Sequence, residues 1–145
     1  MNIDNYMKLT ILAQSRNQAF ARSVVGAFCT QLNPTLEQID DVKTAVSEAV
    51  TNSIVHGYRN QQQGEILLCC TTNGNEVTIA ITDFGRGIDD VNQAMQPFYT
   101  TVSTGERSGM GFTVMKAFCD DVKVESSTGK TTVTLVKRFV CEEQD

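Results

Sequence analysis

The sequence predicts a two-layer α/β sandwich in which helices lie on one face of a mixed, largely antiparallel sheet. Two observations lead to this fold class. Segments with apolar residues every three to four positions predict helices, and shorter runs rich in Ile, Val, Leu and Cys predict strands. In chain order they give strand, helix, helix, strand, strand, a glycine-rich loop, helix, strand and strand. The chain has 145 residues, so we expect one domain, over residues 1–145, with a core of its own.

The first strand and the first helix are predicted near the N-terminus. Residues 6–13 alternate enough in polarity to form a strand. Ser15 and Gln18 then fit a capping box, with which a helix begins. An apolar stripe with a spacing of four residues follows, made of Phe20, Val24, Phe28 and Leu32. The stripe predicts a helix that stops before Pro34 and leaves Arg22 outside its apolar side.

The second helix is predicted to begin at another capping box, formed by Thr35 and Gln38, and to end near Gly57. Its buried face is expected to consist of Leu36, Ile39, Val42, Val46, Ala49 and Val50. Glu48 and Asn52 are four residues apart, so their side chains lie on the same side of the helix, one turn from each other. Both can face one ligand, although such a pair taken alone is more often a solvated one.

Two hairpins are predicted to supply the remaining strands. Strands at 65–72 and 76–82 flank an Asn-Gly pair at 73–74, which is a strong hairpin signal. Strands at 121–127 and 131–140 form the second hairpin at the C-terminal end.

A glycine-rich turn follows the strand at 76–82, which runs straight into Asp83. Gly85 and Gly87 let the backbone turn sharply and approach a flat ligand at a point where any Cβ would collide. Asp83 can then accept a hydrogen bond from that ligand. The alternative is an Asx turn, in which the Asp83 side chain only caps its own loop.

A loop at 98–107 resembles a mobile lid, between a short helix at 91–95 and another helix at 110–119. Three glycines stand near the start of the last helix: Gly105, Gly109 and Gly111. They leave peptide N–H groups available at a helix N-terminus, where the helix dipole also favours anions such as triphosphate oxygens. Arg107 adds a charged donor and Ser108 a hydroxyl.

Charge and cysteine content exclude several classes of protein. With 12 basic and 17 acidic side chains the formal charge is −5, which disfavours binding to nucleic acid or to an anionic membrane. No apolar run reaches about 18 residues, and no basic segment with an apolar run opens the chain, so we expect a cytoplasmic protein. Five cysteines lack Cys-x-x-Cys spacing and are predicted to be reduced thiols: Cys29, Cys69, Cys70, Cys119 and Cys141.

Three motifs in a set order together indicate a pocket for ATP and its metal. The stretch at 48–52 supplies an oxygen ligand for Mg²⁺, and that at 83–87 supplies a carboxylate for the edge of adenine. The stretch at 105–112 supplies backbone N–H groups for phosphates. Each motif is weak alone, and their order makes the combination specific.

A family resemblance rests on three stretches of the chain: Phe-Ala-Arg at 20–22, Val-Ser-Glu-Ala-Val-Thr-Asn-Ser-Ile-Val-His-Gly-Tyr at 46–58, and Glu-Arg-Ser-Gly-Met-Gly-Phe at 106–112. These resemble the serine-kinase anti-sigma factors, a group within the GHKL ATPase superfamily of type II topoisomerases, large heat-shock chaperones, histidine kinases and mismatch-repair proteins. The likeness spans nearly the whole chain. It is greatest to the sporulation branch, the anti-sigma F factors, with the stress-response anti-sigma B kinases as the nearest relatives.

The resemblance implies a Bergerat-type ATP-binding fold and a homodimer. It also implies that the protein binds and silences a sporulation sigma factor, sigma F in that branch. With ATP and Mg²⁺ it would phosphorylate a serine on an anti-anti-sigma partner.

The same resemblance implies roles for residues at the nucleotide. Asn52 would ligate Mg²⁺, Asp83 would bind the adenine amino group, and Glu48 would be the base toward the serine hydroxyl. Thr131 matches a threonine near the adenine. The remaining nucleotide contacts would come from Gly85, Gly87, Arg107, Ser108, Gly109 and Gly111.

Two further residues match positions that the family uses for its partners. Arg22 matches an arginine that contacts both the sigma factor and the anti-anti-sigma protein, and Thr51 matches a position near the phosphates and the partner. The chain departs from the family at Val102, where a lysine is frequent, and at Lys130, where a glycine is frequent.

Alternatives to a serine kinase remain at the level of sequence. A histidine kinase needs a helical domain with an acceptor histidine, whereas the single histidine, His56, lies at the end of the nucleotide helix. An ATP-gated binding module would use Asn52 and Asp83 without transferring phosphate. A base at Glu48 favours an enzyme over such a module, and the sequence does not distinguish serine from water as the acceptor.

Overall fold

The computed structural model describes residues 3–59, 61, 63–85 and 111–140, and these form a layer of helices on one face of a five-stranded sheet. The elements are β1 (Asn5–Leu12), α1 (Arg16–Cys29), α2 (Leu36–Asn52), β2 (Glu65–Asn73), β3 (Glu76–Asp83), α3 (Gly111–Phe118), β4 (Asp121–Ser127) and β5 (Lys130–Arg138). The predicted fold class is therefore confirmed. The predictions of a helix at 91–95 and a lid at 98–107 fall outside the described residues.

The sheet has the strand order β1-β2-β3-β5-β4, and every pairing in it is antiparallel. Both predicted hairpins are present, as β2–β3 and β4–β5. Their turns place Gly74 at a φ of 60° and Gly129 at a φ of 88°, a backbone region that favours glycine. Strands β3 and β5, which are not consecutive, lie side by side and bring Thr131 opposite Asp83.

The core lies between the sheet and the helices. Alternate residues of the central strands are buried, as the two-residue period of a strand requires, and they include Ile66, Leu68 and Cys70 on β2 and Val77, Ile79 and Ile81 on β3. Helices α1 and α2 pack on this face and on each other. The opposite face of the sheet carries the half-buried alternate residues.

The N-terminal part of α1 differs from the prediction in two ways. The capping box is absent, because Ser15 has helical angles (φ −55°, ψ −35°) and its side chain makes no cap hydrogen bond. Phe20 is 52% exposed rather than buried. A spacing of four residues advances by about 40° more than a full turn, so a stripe with this spacing drifts around the helix. The buried side instead follows Ala21, Val25 and Phe28.

The capping box of α2 is confirmed. The Gln38 N–H donates to Thr35 Oγ1 at 3.1 Å, and the Thr35 N–H donates to Gln38 Oε1 at 2.9 Å. Leu36 was wrongly placed in the core and is 83% exposed. Leu36 is six residues before the buried Val42 and therefore lies about 120° from it around the helix axis.

Within the described residues, no helix is long and apolar enough to cross a membrane.

A half-buried lysine joins three elements at the far end of the sheet. Lys137 Nζ on β5 donates to the Phe118 carbonyl at the end of α3 at 2.7 Å. It also lies 3.3 Å from Asp41 Oδ2 on α2. The cation therefore satisfies a helix C-terminus, where positive charge is favourable, and ties α3 to α2.

The four cysteines among the described residues are free thiols. Cys29 and Cys70 are completely buried, and burial raises the pKa of each thiol to about 12. Both side chains are therefore neutral, apolar parts of the core at physiological pH.

Shortening a buried side chain of β2 should destabilise the fold strongly. Leu68 is completely buried, so Leu68→Ala is expected to lower the free energy of unfolding by about 2–5 kcal/mol through lost burial and a cavity. Leu36→Ala makes the same chemical change at an exposed site and should alter stability by less than about 0.5 kcal/mol. Urea titrations followed by circular dichroism measure both, and equal losses would contradict the position of the core.

Candidate nucleotide-binding site

The last turns of α2 bring Glu48 and Asn52 to the N-terminus of α3. A Cβ on Gly111 would lie 3.1 Å from Asn52 Nδ2, 3.2 Å from Asn52 Oδ1 and 3.4 Å from Glu48 Oε2. The two side chains therefore share one side of α2, as their spacing predicts, and face the start of another helix. A side chain at position 111 would crowd both of them, which gives a physical reason for glycine there.

Asn52 carries an unsatisfied buried donor. Its Nδ2 atom is buried and has no hydrogen-bond partner within the described part of the chain. An unpaired buried donor costs about 1–3 kcal/mol, so this group is suited to an acceptor supplied from outside, such as a phosphate oxygen. The Oδ1 atom of the same amide is a hard oxygen of the kind that ligates Mg²⁺.

The described residues contain no group of three His, Cys, Asp or Glu side chains that could hold a metal ion. Further oxygens for a cation at Asn52 could come from a bound ligand or from water. Mg²⁺ commonly binds in this way, with one or two protein oxygens, several waters and the phosphates of a nucleotide. The amide oxygen of Asn52 could be one of the protein oxygens in a complex of this kind.

Asp83 lies at the end of β3 on the helix-covered face of the sheet and is only 3% exposed. Burial raises the pKa of its carboxyl group, and hydrogen bonds from the Gly85 N–H and the Ser53 hydroxyl offset part of that rise. The bond from Gly85 to Oδ1 measures 3.1 Å and is the contact expected of an Asx turn, the alternative role for Asp83. A carboxylate has about four lone-pair directions, so these two donors leave capacity for a ligand.

Thr131 is the neighbour of Asp83 in the sheet, where it is 5% exposed. Its hydroxyl lies 2.7 Å from Ser126 Oγ on β4. The structure therefore brings together the two residues that the sequence analysis assigned to the adenine. Lys130, the departure from the family pattern, is exposed at the start of β5.

Two glycines allow the turn after Asp83 to contact the end of the nucleotide helix. A Cβ on Gly57 would lie 2.8 Å from Asp83 Oδ1, and a Cβ on Gly85 would overlap the Gly57 carbonyl oxygen. Gly85 is thus required by the protein's own backbone, whereas the sequence analysis attributed it to a ligand. Gly57 was missed, although it stands in the motif at 46–58.

The segment after α2, Ser53–Gly57, is a π turn, in which the Tyr58 N–H donates to the Ser53 carbonyl at 2.9 Å. A π turn contains one residue more than an α turn and is frequent at functional sites. Here it carries Ser53 and Gly57, both of which face Asp83. The predicted end of the helix near Gly57 coincides with the end of this π turn, whereas the α-helical part ends at Asn52, and the π geometry was not predicted.

Thr51 and Gln18 connect the site to α1. Gln18 Nε2 donates to Thr51 Oγ1 at 2.6 Å and to the Ser47 carbonyl at 3.3 Å. The Thr51 hydroxyl in turn donates to the Ser47 carbonyl at 2.7 Å. Gln18 therefore bonds to α2 in place of the predicted capping box, and the Thr51 hydroxyl is turned toward α1. Arg22, one turn after Gln18, is exposed.

Several predicted residues lie outside the described part of the chain: Gly87, Val102, Arg107, Ser108 and Gly109. Their roles stay predictions. Gly111 is described and lies in α3, as predicted for the helix at 110–119.

Comparison with known proteins identifies the family. Residues 11–137 match the model of the histidine kinase-like ATPase domain. An anti-sigma F factor of Thermoanaerobacter sp. (strain X514) is 50% identical over 140 residues, which are 97% of each chain. The anti-sigma F factor of Clostridium beijerinckii is 52% identical over 135 residues, 93% of this chain and 94% of that one.

Solved structures show the same fold at low sequence identity. The RsbU and RsbW domains of Rv1364c from Mycobacterium tuberculosis superpose with a TM-score of 0.68 at 20% identity, over 93% of this chain and 32% of that one. The catalytic domain of the histidine kinase ThkA gives a TM-score of 0.59 at 11% identity, over 93% and 96%.

Asp83→Asn should stabilise the protein without nucleotide. Because burial raises the pKa of Asp83 in the folded state, its stabilising contribution is complete only below the unfolded pKa, about 3.9. That contribution is lost as the pH rises through the folded pKa, so the ionised carboxylate destabilises the fold at pH 7. We expect the neutral amide to raise the Tm at pH 7, with a gain that shrinks as the pH is lowered through the folded pKa toward the unfolded value of about 3.9.

Thermal unfolding between pH 4 and pH 8, a range that starts near the unfolded pKa of about 3.9, measures this gain. Asp121→Asn, at an exposed position on β4, is the matched control and should leave the Tm nearly unchanged at each pH. A Tm gain at Asp83 that did not vary with pH would contradict the electrostatic cause.

Proposed function

The chain belongs to the histidine kinase-like ATPase family and, within it, to the anti-sigma F factors, and we propose that it inhibits a sporulation sigma factor and phosphorylates a serine of an anti-anti-sigma protein. The proposal of kinase activity rests on one observation: a single helical segment contacts both ends of the candidate site. Glu48 and Asn52 face the start of α3, and the π turn that follows them faces the buried Asp83.

ATP would lie with its adenine at Asp83 and its phosphates at Glu48 and Asn52. Asp83 accepts a hydrogen bond from the adenine amino group, because a carboxylate is an acceptor without donors of its own. Guanine presents a carbonyl oxygen at that position and is repelled. Thr131, opposite Asp83, is the neighbouring polar group on the sheet.

At the phosphate end, Asn52 would hold Mg²⁺ through Oδ1 and donate from Nδ2 to a phosphate oxygen. The cation, when bound, neutralises charge on the β- and γ-phosphates during transfer. Gly111 and the N-terminus of α3 add N–H groups and a favourable dipole for the phosphates.

Glu48 would act as the base toward the partner's serine. Its carboxylate accepts the hydroxyl proton while the serine oxygen forms a bond to the γ-phosphorus. The bond between the γ-phosphorus and the bridging oxygen breaks, and ADP leaves with that oxygen. The products are phosphoserine and ADP.

The partners are proposed to bind at α1. This helix contains no acidic residue, although the whole chain carries a formal charge of −5, and Arg22 is exposed on it. The bonds of Gln18 join the same helix to the turn between Glu48 and Asn52. If both partners use this surface, the sigma factor and the anti-anti-sigma protein compete for it. Thr51 would support the surface through its hydrogen bond from Gln18 on α1. With such a partner, a cytoplasmic location is part of the proposal.

The second face of the sheet supports a homodimer. Its central strands present half-buried and largely uncharged side chains: Leu67, Cys69, Thr71, Thr78, Ala80, Thr132, Thr134 and Val136. A second copy of the chain would cover this face with an identical one, as a twofold axis requires.

Phosphoryl transfer to serine tests the proposal directly. The protein is incubated with Mg²⁺, γ-labelled ATP and candidate anti-anti-sigma proteins, and the labelled residue is identified by mass spectrometry. Phosphoserine supports a kinase. Release of inorganic phosphate alone would indicate a hydrolase, and ATP binding without turnover would indicate an ATP-gated binding module.

Glu48→Gln and Asn52→Ala should separate catalysis from binding. Glu48→Gln removes the base and is expected to lower phosphoryl transfer by roughly 10²- to 10⁴-fold while ATP affinity is retained. Asn52→Ala removes a metal ligand and should weaken Mg·ATP binding itself. Calorimetry and initial rates measure the two effects. A matching loss of ATP affinity in Glu48→Gln would argue against its role as a base.

Arg22→Glu should weaken binding of both partners together. Exposed arginines at interfaces are frequent hot spots, and loss of one costs about 2 kcal/mol, roughly thirtyfold in affinity. Arg16→Glu makes the same change on the same helix, about 120° away from Arg22 around its axis, and should have a smaller effect. Titrations in Mg·ATP measure both affinities, with circular dichroism as the folding control. Normal binding of both partners by folded Arg22→Glu would exclude this interface.

A further inference from the structure

The hydroxyl of Tyr58 joins two backbone segments beside the nucleotide site. It accepts a hydrogen bond from the Phe84 N–H at 2.7 Å and donates one to the Glu65 carbonyl at 2.5 Å. Phe84 follows Asp83 directly, and Glu65 is the first residue of β2. The hydroxyl thus connects the turn after Asp83 to the start of the neighbouring strand.

The ring of Tyr58 is held in place from two directions. A Cβ on Gly64 would lie 2.6–2.7 Å from three atoms of the ring, so the ring packs directly on the backbone there. Gly64 is itself fixed, because its carbonyl accepts from the Ala13 N–H at 2.7 Å. On the other side, the Tyr58 N–H closes the π turn on Ser53.

We propose that Tyr58 is a positioning residue for the adenine of the nucleotide. Its hydroxyl holds the Asp83-Phe84-Gly85 turn against the π turn at the end of α2. The inference rests on the proposed function, since it takes ATP as the ligand of Asp83. Tyr58 touches no reacting atom and acts through Asp83.

Within residues 3–59, 61, 63–85 and 111–140, few other contacts anchor this turn. The Gly85 N–H bonds to Asp83 within the turn, so it shapes the turn without attaching it to another element. Gly85 packs closely on the backbone of Gly57. The Phe84 side chain is 54% exposed and contributes little burial. Among the described residues, the directed contacts that reach the turn from the helix end are those of Ser53 to the carboxylate and of Tyr58 to the backbone.

The hydroxyl stays protonated at working pH. Burial raises the pKa of Tyr58 above its ordinary value of 10, the bond from Phe84 opposes the rise, and the charges of Asp83 and Glu65 add to it. A neutral hydroxyl is both a donor and an acceptor, as its two backbone partners require.

Tyr58→Phe deletes this hydroxyl and keeps the ring. We expect about a tenfold loss of affinity for Mg·ATP, since one directed hydrogen bond contributes roughly that factor. The preference for ATP over GTP should fall with it, because a loosened Asp83 discriminates less between the bases. The kcat at saturating ATP should change less than twofold, since Glu48 and Asn52 are untouched. Tyr6→Phe makes the same change at a 63% exposed tyrosine on β1 and should behave as the parent chain.

Calorimetry with ATP and with GTP, initial rates and thermal unfolding decide the outcome. Phe84→Pro removes the same hydrogen bond from the N–H side and should reproduce the loss of ATP preference. Unchanged ATP preference in both folded variants would overturn the inference, as would an equal weakening of ATP and GTP binding. Absence of ATP binding by the parent chain would overturn the proposed function as well, which distinguishes the two failures.

Discussion

A buried carboxylate, that of Asp83, is the constraint on which the surrounding structure depends. An ionised group with 3% exposure is costly, so the chain around it has to supply donors and space. Ser53 and Gly85 supply the donors, and Gly57 supplies the space because any side chain there would meet the carboxylate oxygens. The residues at the end of α2, in the π turn Ser53–Gly57, are therefore constrained by one acidic side chain.

One helix sets the distance between the two ends of the candidate site. Glu48 and Asn52 lie on its last turns, and the π turn that follows them reaches Asp83. Because a helix is stiff and rises by about 1.5 Å per residue, the end of the site that would hold metal and phosphates and the end that would hold adenine cannot shift independently. The bonds of Gln18 to Thr51 and Ser47 extend this rigid unit to the helix proposed to bind partners.

Local patterns predicted most of the fold, including both hairpins, the capping box of α2 and the shared side of Glu48 and Asn52. They failed where a tertiary contact competes with a local one. Gln18 matches a capping box, yet its amide bonds to α2, which no local pattern contains. The π turn was not foreseen either, because one extra residue leaves the apolar periodicity before it unchanged. Gly57 and Tyr58 lay within a recognised motif, and only the fold shows what they touch.

The strand order has a consequence for how fast the chain can fold. The hairpins β2–β3 and β4–β5 close short loops, whereas β1 meets β2 only after both helices, and β3 meets β5 only after α3 and β4. Long closures lose more chain entropy before any contact compensates for it, which slows folding. Asp83 pairs with Ile66 in a local hairpin and with Thr131 across a long closure. Its pocket is therefore complete only when the slow, non-local step has taken place, so a chain that has collapsed around its hairpins still lacks a finished site.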